Sequence, residues 1–136
     1  MKRILILYNV PSLKVGLDAL PFEVKPPKDL PFDAMPLKMT IEDFKHDGKE
    51  LRVDLMSVSK IKEDNIIFMI SVHNFKVAYA ESLGDEVQIT EGDVGYYNGS
   101  LSFEKDGIYY NIGYNNPNIP EEQIKEDTIA LAKQML

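Results

Sequence analysis

The fold is decided by residues 87–136, which read VQITEGDVGYYNGSLSFEKDGIYYNIGYNNPNIPEEQIKEDTIALAKQML. Leu101 and Phe103 alternate with polar residues ahead of Asp106-Gly107, and Ile108, Tyr110 and Ile112 alternate after it. Period-two alternation on both sides of an Asp-Gly pair predicts a β-hairpin, because only short polar residues and glycine accept the left-handed backbone of a tight turn. Next comes a helix start: Asn118, then Pro120 in the first turn, then Glu121 and Glu122 against the positive end of the helix dipole. Ile124, Thr128, Leu131 and Met135 fall at helical spacing and form one stripe, widened by Ile129 and Ala132. Strands followed by a closing amphipathic helix predict an α+β fold: a twisted, mainly antiparallel sheet with the C-terminal helix packed on one face.

Working back toward the N-terminus, the same period recurs. Leu37, Met39 and Ile41 alternate, Asp47-Gly48 predicts a tight turn, and Leu51, Val53 and Leu55 alternate beyond it. Asp64-Asn65 marks another turn. The run Ile66 to Val72 is almost continuously apolar and too short for a spanning helix, so it predicts a central strand covered on both faces. Phe75 to Leu83 is expected to continue the sheet. Pro21, Pro26, Pro27, Pro31 and Pro36 predict an extended, irregular segment, because proline lacks an amide donor and disfavours helix in the residue before it. Phe22, Val24, Leu30 and Phe32 are placed to pin that segment to the core. Ser12 is a candidate N-cap for a short helix from Leu13 to Leu20. Lys2 to Val10 reads as a strand, or as remodelled sequence at the start of a truncated chain; its apolar run is short and no small-residue cleavage site follows.

The chain has 136 residues, which fits one domain spanning 1–136, and carries a net charge of −7. Residues 1–68 hold 11 basic and 11 acidic side chains, while residues 69–136 hold 4 and 11, so the whole excess lies in the second half. An acidic surface repels phosphate backbones and anionic headgroups, which disfavours nucleic acid and membrane-surface partners. No apolar run reaches the roughly 20 residues of a spanning helix, so direct membrane insertion is not expected. Cysteine is absent, which excludes disulfides, thiolate metal sites and cysteine nucleophiles.

Few residues promise chemistry. His46 lies beside Asp47 with Asp43 nearby, at no recognised metal spacing, and reads as a solvated turn. His73 follows Ser71 by two residues, so a strand places both on one face; a nucleophile pair is conceivable, but no nucleophile elbow accompanies it. Asp85, Glu86, Glu91 and Asp93 are the densest acidic cluster and lack a calcium-loop signature, so they read as a charged loop. No cofactor and no metal is expected. The tyrosines Tyr96, Tyr97, Tyr109 and Tyr114 gather near the last hairpin, and tyrosine offers rigid contact area with a polar tip. They are the candidate binding residues for an unidentified protein or small-molecule ligand. Because Ile108, Tyr110 and Ile112 share a face, Tyr109 must point to the other.

Three stretches together carry a family resemblance: Ala19 to Pro31, with its apolar-x-apolar pair, proline step and Leu-Pro; the strands of Leu37 to Val58 with Ile66 to Val72; and Leu101 to Leu131. They resemble domain-of-unknown-function family 4367 of Gram-positive bacteria, over about residues 13–136. The family commonly has tryptophan where Phe103 stands here. Its members often form the extracytoplasmic C-terminal part of membrane-anchored proteins, some with anti-sigma-factor regions. The resemblance therefore implies a binding or sensor-type module rather than an enzyme. It implies an extracytoplasmic place if the chain is a fragment that has lost an anchor, and a cytoplasmic one otherwise. The rival expectations are a small hydrolase built on His73 or His46, and a domain that self-associates through an exposed strand edge.

Overall fold

The computed structural model describes residues 6–9, 12–76 and 84–136, with side chains described for the last two spans. The elements run β1 (Ile6–Asn9), α1 (Leu13–Asp18), β2 (Lys38–Asp43), β3 (Leu51–Val58), a 3-10 turn (Lys62–Asp64), β4 (Ile67–His73), β5 (Asp85–Thr90), β6 (Asp93–Tyr97), β7 (Leu101–Lys105), β8 (Ile108–Asn115) and α2 (Glu121–Met135). Among the described residues, eight strands form one sheet in the order β1-β2-β3-β4-β8-β7-β6-β5. Every neighbouring pair is antiparallel. Two meanders, β1 to β4 and β5 to β8, are joined by the pairing of β4 with β8 at the middle. The fold is α+β, with the C-terminal helix on one face of the sheet.

Alternation divides the side chains into two sets. The covered face carries Val53 and Leu55 of β3, Phe68, Ile70 and Val72 of β4, Ile112 and Tyr114 of β8, Leu101 and Phe103 of β7, and Val87 and Ile89 of β5, all buried. Helix α2 lies over β8 and β5, and Thr128, Leu131, Ala132 and Met135 are the side chains it buries. This is the stripe expected from its spacing. The Thr128 hydroxyl, inside that apolar contact, donates to the Ile124 carbonyl at 2.6 Å and so stays satisfied.

The proline-rich segment completes the cover. It forms no helix or strand beyond a single bridge, Ala34 with Ser59. Val24 is buried, and Phe22, Leu30 and Phe32 pack against the core; the Phe32 ring stacks on Tyr114 at 5.9 Å. Gln134 of α2 holds the segment from above. Its Oε1 accepts from the Lys28 and Asp29 amides at 2.9 and 3.0 Å, and its Nε2 donates to the Asp29 carbonyl at 2.8 Å. The side-chain amide thus replaces a neighbouring strand for a stretch that proline keeps out of the sheet.

Local expectations mostly hold. Ser12 caps α1, its hydroxyl accepting from the Val15 amide at 3.2 Å. The last hairpin has the register Lys105 opposite Ile108, with Asp106 and Gly107 at φ of 53° and 80°. Three expectations need correction. Asp47-Gly48 lies inside a broader loop, 44–50, closed by the Phe44 amide on the Glu50 carbonyl and by the Gly48 amide on Asp43 Oδ2. Phe75 and Lys76 leave the sheet, and residues 77–83 of that expected strand lie outside the described ones. The run Ile66–Val72 does form a central strand, but its second side is covered only toward the Ser71 end: Ile67 and Met69 are exposed, whereas Ser71 and His73 are buried. Of the first expected strand, Ile6–Asn9 is a strand and the remainder lies outside the described residues.

Candidate functional site

The side of the sheet away from α2 carries the polar and aromatic side chains that have no part in the core. Each is placed there by parity. Cα partners across a sheet point the same way, so the row Arg52–His73–Tyr109–Glu104 and the row Asp54–Ser71–Asn111–Ser102–Tyr96 share this open face.

Its first zone is a closed polar ring. Arg52 Nε donates to Asp54 Oδ1 at 3.1 Å, Arg52 Nη2 donates to Ser71 Oγ at 3.4 Å, and Ser71 Oγ donates to the same Asp54 oxygen at 2.7 Å. His73, the partner of Arg52 across the strands, is buried beside the ring, and its imidazole meets the Phe75 ring edge-on at 5.2 Å. Burial, and then the Arg52 charge, lower the His73 pKa, partly opposed by Asp54. Both effects favour the neutral imidazole. A hydroxyl has one proton to give, and Ser71 gives it to Asp54 rather than to His73. That arrangement is the reverse of an activated serine, in which the imidazole takes the hydroxyl proton and the carboxylate orients the imidazole. His46 stands on the loop 44–50 at φ 59°, exposed.

The second zone is a cleft of about 480 Å³ lined by Lys76, Val94, Tyr96, Ser102, Glu104 and Tyr109. Strand β7 supplies the middle, with Tyr96 flanking it from β6 and Tyr109 from β8. Asn111 Nδ2 donates to both Ser100 and Ser102, at 3.1 and 2.9 Å, which fixes the serine hydroxyls alongside. The chemistry on offer is two half-buried aromatic rings, one carboxylate and one ammonium.

The candidate tyrosines are thus divided. Tyr96 and Tyr109 share the open face, as parity required for Tyr109. Tyr97 and Tyr114 line a different cleft of about 500 Å³ with Asn98, Asn115, Glu121 and Ile124, beside the start of α2. The Lys125 ammonium sits 5.6 Å from the Tyr97 ring centre. Tyr114 is buried beneath Phe32, and its hydroxyl accepts from Asn116 Nδ2 at 2.8 Å. Burial raises the phenol pKa of Tyr97 and Tyr114, so both remain neutral donors.

The acidic residues do not converge. Asp85 and Glu86 begin β5, whereas Glu91 and Asp93 sit at the turn into β6, roughly 17 Å further along the strand. Asp93 is held by Thr90 and by Lys105 Nζ at 3.0 Å, and those hydrogen bonds lower its pKa. Among the described residues no three metal-ligating side chains gather. The ring of Arg52, Asp54 and Ser71 escaped the sequence reading. Its signal was present as Arg-x-Asp in β3, on the parity opposite Leu51, Val53 and Leu55. Among the described residues no helix is long and apolar enough to cross a membrane. No family model matches this chain, and neither a curated protein nor a solved structure matches it.

Proposed function

We propose that this domain is a binding module that works without covalent chemistry and meets its ligand at the cleft between Tyr96 and Tyr109. One observation carries the reading: two tyrosines from β6 and β8 flank a cleft on the face opposite α2, outside the buried apolar core. Aromatic faces accept flat or C–H-rich groups, and Glu104 with Lys76 adds a choice of charge partner. The Ser71 proton held by Asp54 supports the non-enzymatic side of the reading. Kinship with domain-of-unknown-function family 4367, and the extracytoplasmic place it implies, belong to the same proposal and rest on the three sequence stretches alone. The complete reading frame around this chain, with or without a preceding anchor, tests that kinship.

The cleft is tested by NMR titration of labelled protein with a fragment and short-peptide library. The expected result is shift changes clustered on Tyr96, Ser102, Glu104 and Tyr109, lost in Tyr109→Ala while the fold persists. Ligands that perturb only the cleft of Tyr97 and Tyr114, or that bind Tyr109→Ala unchanged, would overturn the assignment.

A further inference from the structure

We propose that Met35, Met56 and Met69 form a reversible oxidation site, at which three thioethers on the open face take an oxygen atom from a hydroperoxide. Cysteine is absent, so every sulfur in the chain is a methionine thioether. Five of the six methionines lie among the described residues, and they fall into two groups. Met35, Met56 and Met69 are 46%, 42% and 40% exposed, whereas Met39 and Met135 are 3% and 4% exposed, inside the core. Strand pairing brings the exposed three to one place. The row Lys38–Met56–Met69–Gly113 runs across β2, β3, β4 and β8 on the open face. Directly opposed residues of antiparallel strands have Cβ atoms about 4.5–5.5 Å apart, so the Met56 and Met69 side chains adjoin. The Ala34–Ser59 bridge sets Met35 opposite Val58, two residues along β3 from Met56, and the Met35 amide donates to the Val58 carbonyl at 2.8 Å.

Both ends of the row suit an attacking oxidant. Gly113 has no side chain to shield Met69; a Cβ there would meet only the Met69 carbonyl, at 3.9 Å. At the other end Lys38 is exposed, and its ammonium is a donor that suits the oxygen of a sulfoxide. The reaction balances between thioether and peroxide. A sulfur lone pair attacks the terminal oxygen, the O–O bond breaks, and the oxygen stays on sulfur while its proton leaves with the second oxygen as water or an alcohol. Sulfur is oxidised and the peroxide is reduced. A dithiol reverses the step through a sulfoxide reductase, giving a disulfide and water. Oxidation puts a polar, chiral group where an apolar chain stood. In a core that change disrupts packing. Here the sulfurs whose oxidation would break the core, Met39 and Met135, are shielded, and those whose oxidation alters only a surface are presented. The open face can therefore pass between an apolar and a polar state while the fold persists.

Titration of the folded protein with hydrogen peroxide, with oxidation at each methionine read by peptide mass spectrometry, tests this. Where rate follows exposure, Met35, Met56 and Met69 oxidise about tenfold faster than Met39 and Met135, as 40% stands to 4%. In urea-unfolded protein the five rates should converge. An apolar dye bound to the folded protein should lose fluorescence as the three sulfoxides form and regain it after treatment with the two epimer-specific methionine sulfoxide reductases and a dithiol. The triple variant Met35→Leu, Met56→Leu, Met69→Leu, which keeps the apolar surface and removes its sulfur, should show no such response. The urea midpoint should be the same before and after oxidation. Oxidation of Met39 or Met135 as fast as the exposed three would overturn the proposal. So would a midpoint that falls as the three are oxidised, or a dye signal that their oxidation leaves unchanged or that the reductases fail to restore. The ligand titration at Tyr109 reads other rows of the face, so either proposal can fail while the other stands.

Discussion

Along β4, Phe68, Ile70 and Val72 are wholly buried, while Ile67 and Met69, one step away on the same strand, remain nearly half exposed. The residues are alike in hydrophobicity. What separates them is only which side α2 and the proline-rich segment cover. The two faces of this sheet therefore share a backbone and differ in almost everything that matters for stability. On the covered side a missing methylene leaves a cavity. On the open side the same change alters a surface.

Replacing one residue on each side probes this difference most strongly. Phe68→Ala should lower unfolding stability by about 3–5 kcal/mol and Leu131→Ala by about 2–5 kcal/mol. Met69→Ala should stay within about 0.5 kcal/mol. Urea midpoints measured on dilute, monomeric protein decide the matter, and equal losses at Phe68 and Met69 would erase the distinction. Glycines repeat the test in the opposite sense. A Cβ on Gly95 would come within 2.9 Å of the Ser102 carbonyl oxygen and 3.0 Å of both Ile89 and Leu101 side chains. Gly95→Ala should therefore cost about 1–3 kcal/mol through overpacking, whereas Gly113→Ala on the open face should be neutral or stabilising by about 0.5 kcal/mol.

Smaller effects sharpen the picture. Gln134→Ala removes three hydrogen bonds that tie the proline-rich segment to α2 and should cost about 1 kcal/mol, because water replaces part of what is lost. Hydrogen exchange at the Lys28 and Asp29 amides should accelerate well beyond that at Val53. The smallest effect is expected at His73. Its folded pKa lies below the ordinary value of 6.5, so the unfolded chain binds the proton more readily. Its contribution is thus constant above about pH 6.5, falls as pH drops through that value, and levels off below the folded pKa. Stability curves of wild type and His73→Gln between pH 8 and pH 5 should run parallel at the alkaline end and diverge in slope as pH falls through the ordinary histidine range. Parallel curves would show that the imidazole is as solvated in the fold as outside it.

Much of the covered face was legible in the chain. Alternation at Leu51, Val53 and Leu55 and at Ile108, Tyr110 and Ile112 is a local property, and so are the backbone demands of Asp106-Gly107 and the stripe from Ile124 to Met135. The exposure of Ile67 and Met69 within the run Ile66–Val72 was not legible, because an apolar run has no parity from which to read a face. The pairing of β4 with β8 was hidden as well, since partners far apart in sequence leave no local trace. The candidate site was half legible. Tyr96 and Tyr97 are adjacent in a strand and must point to opposite sides, and Tyr114 shares the parity of buried Tyr110. Parity alone divides those tyrosines; which side lies open depends on where α2 packs.

The Gln134 clamp has a consequence for the order of events in biosynthesis. It joins amides to a side chain 106 residues further along the chain. A ribosome emitting this sequence releases the proline-rich segment long before its anchor exists. Until residue 134 emerges, the Lys28 and Asp29 amides lack the side chain that binds them, although β8, with Tyr114 for Phe32 to stack on, has already been made. The late contact makes the segment a reporter of the emergence of α2: protease protection around Lys28 should appear only on nascent chains long enough to expose Gln134.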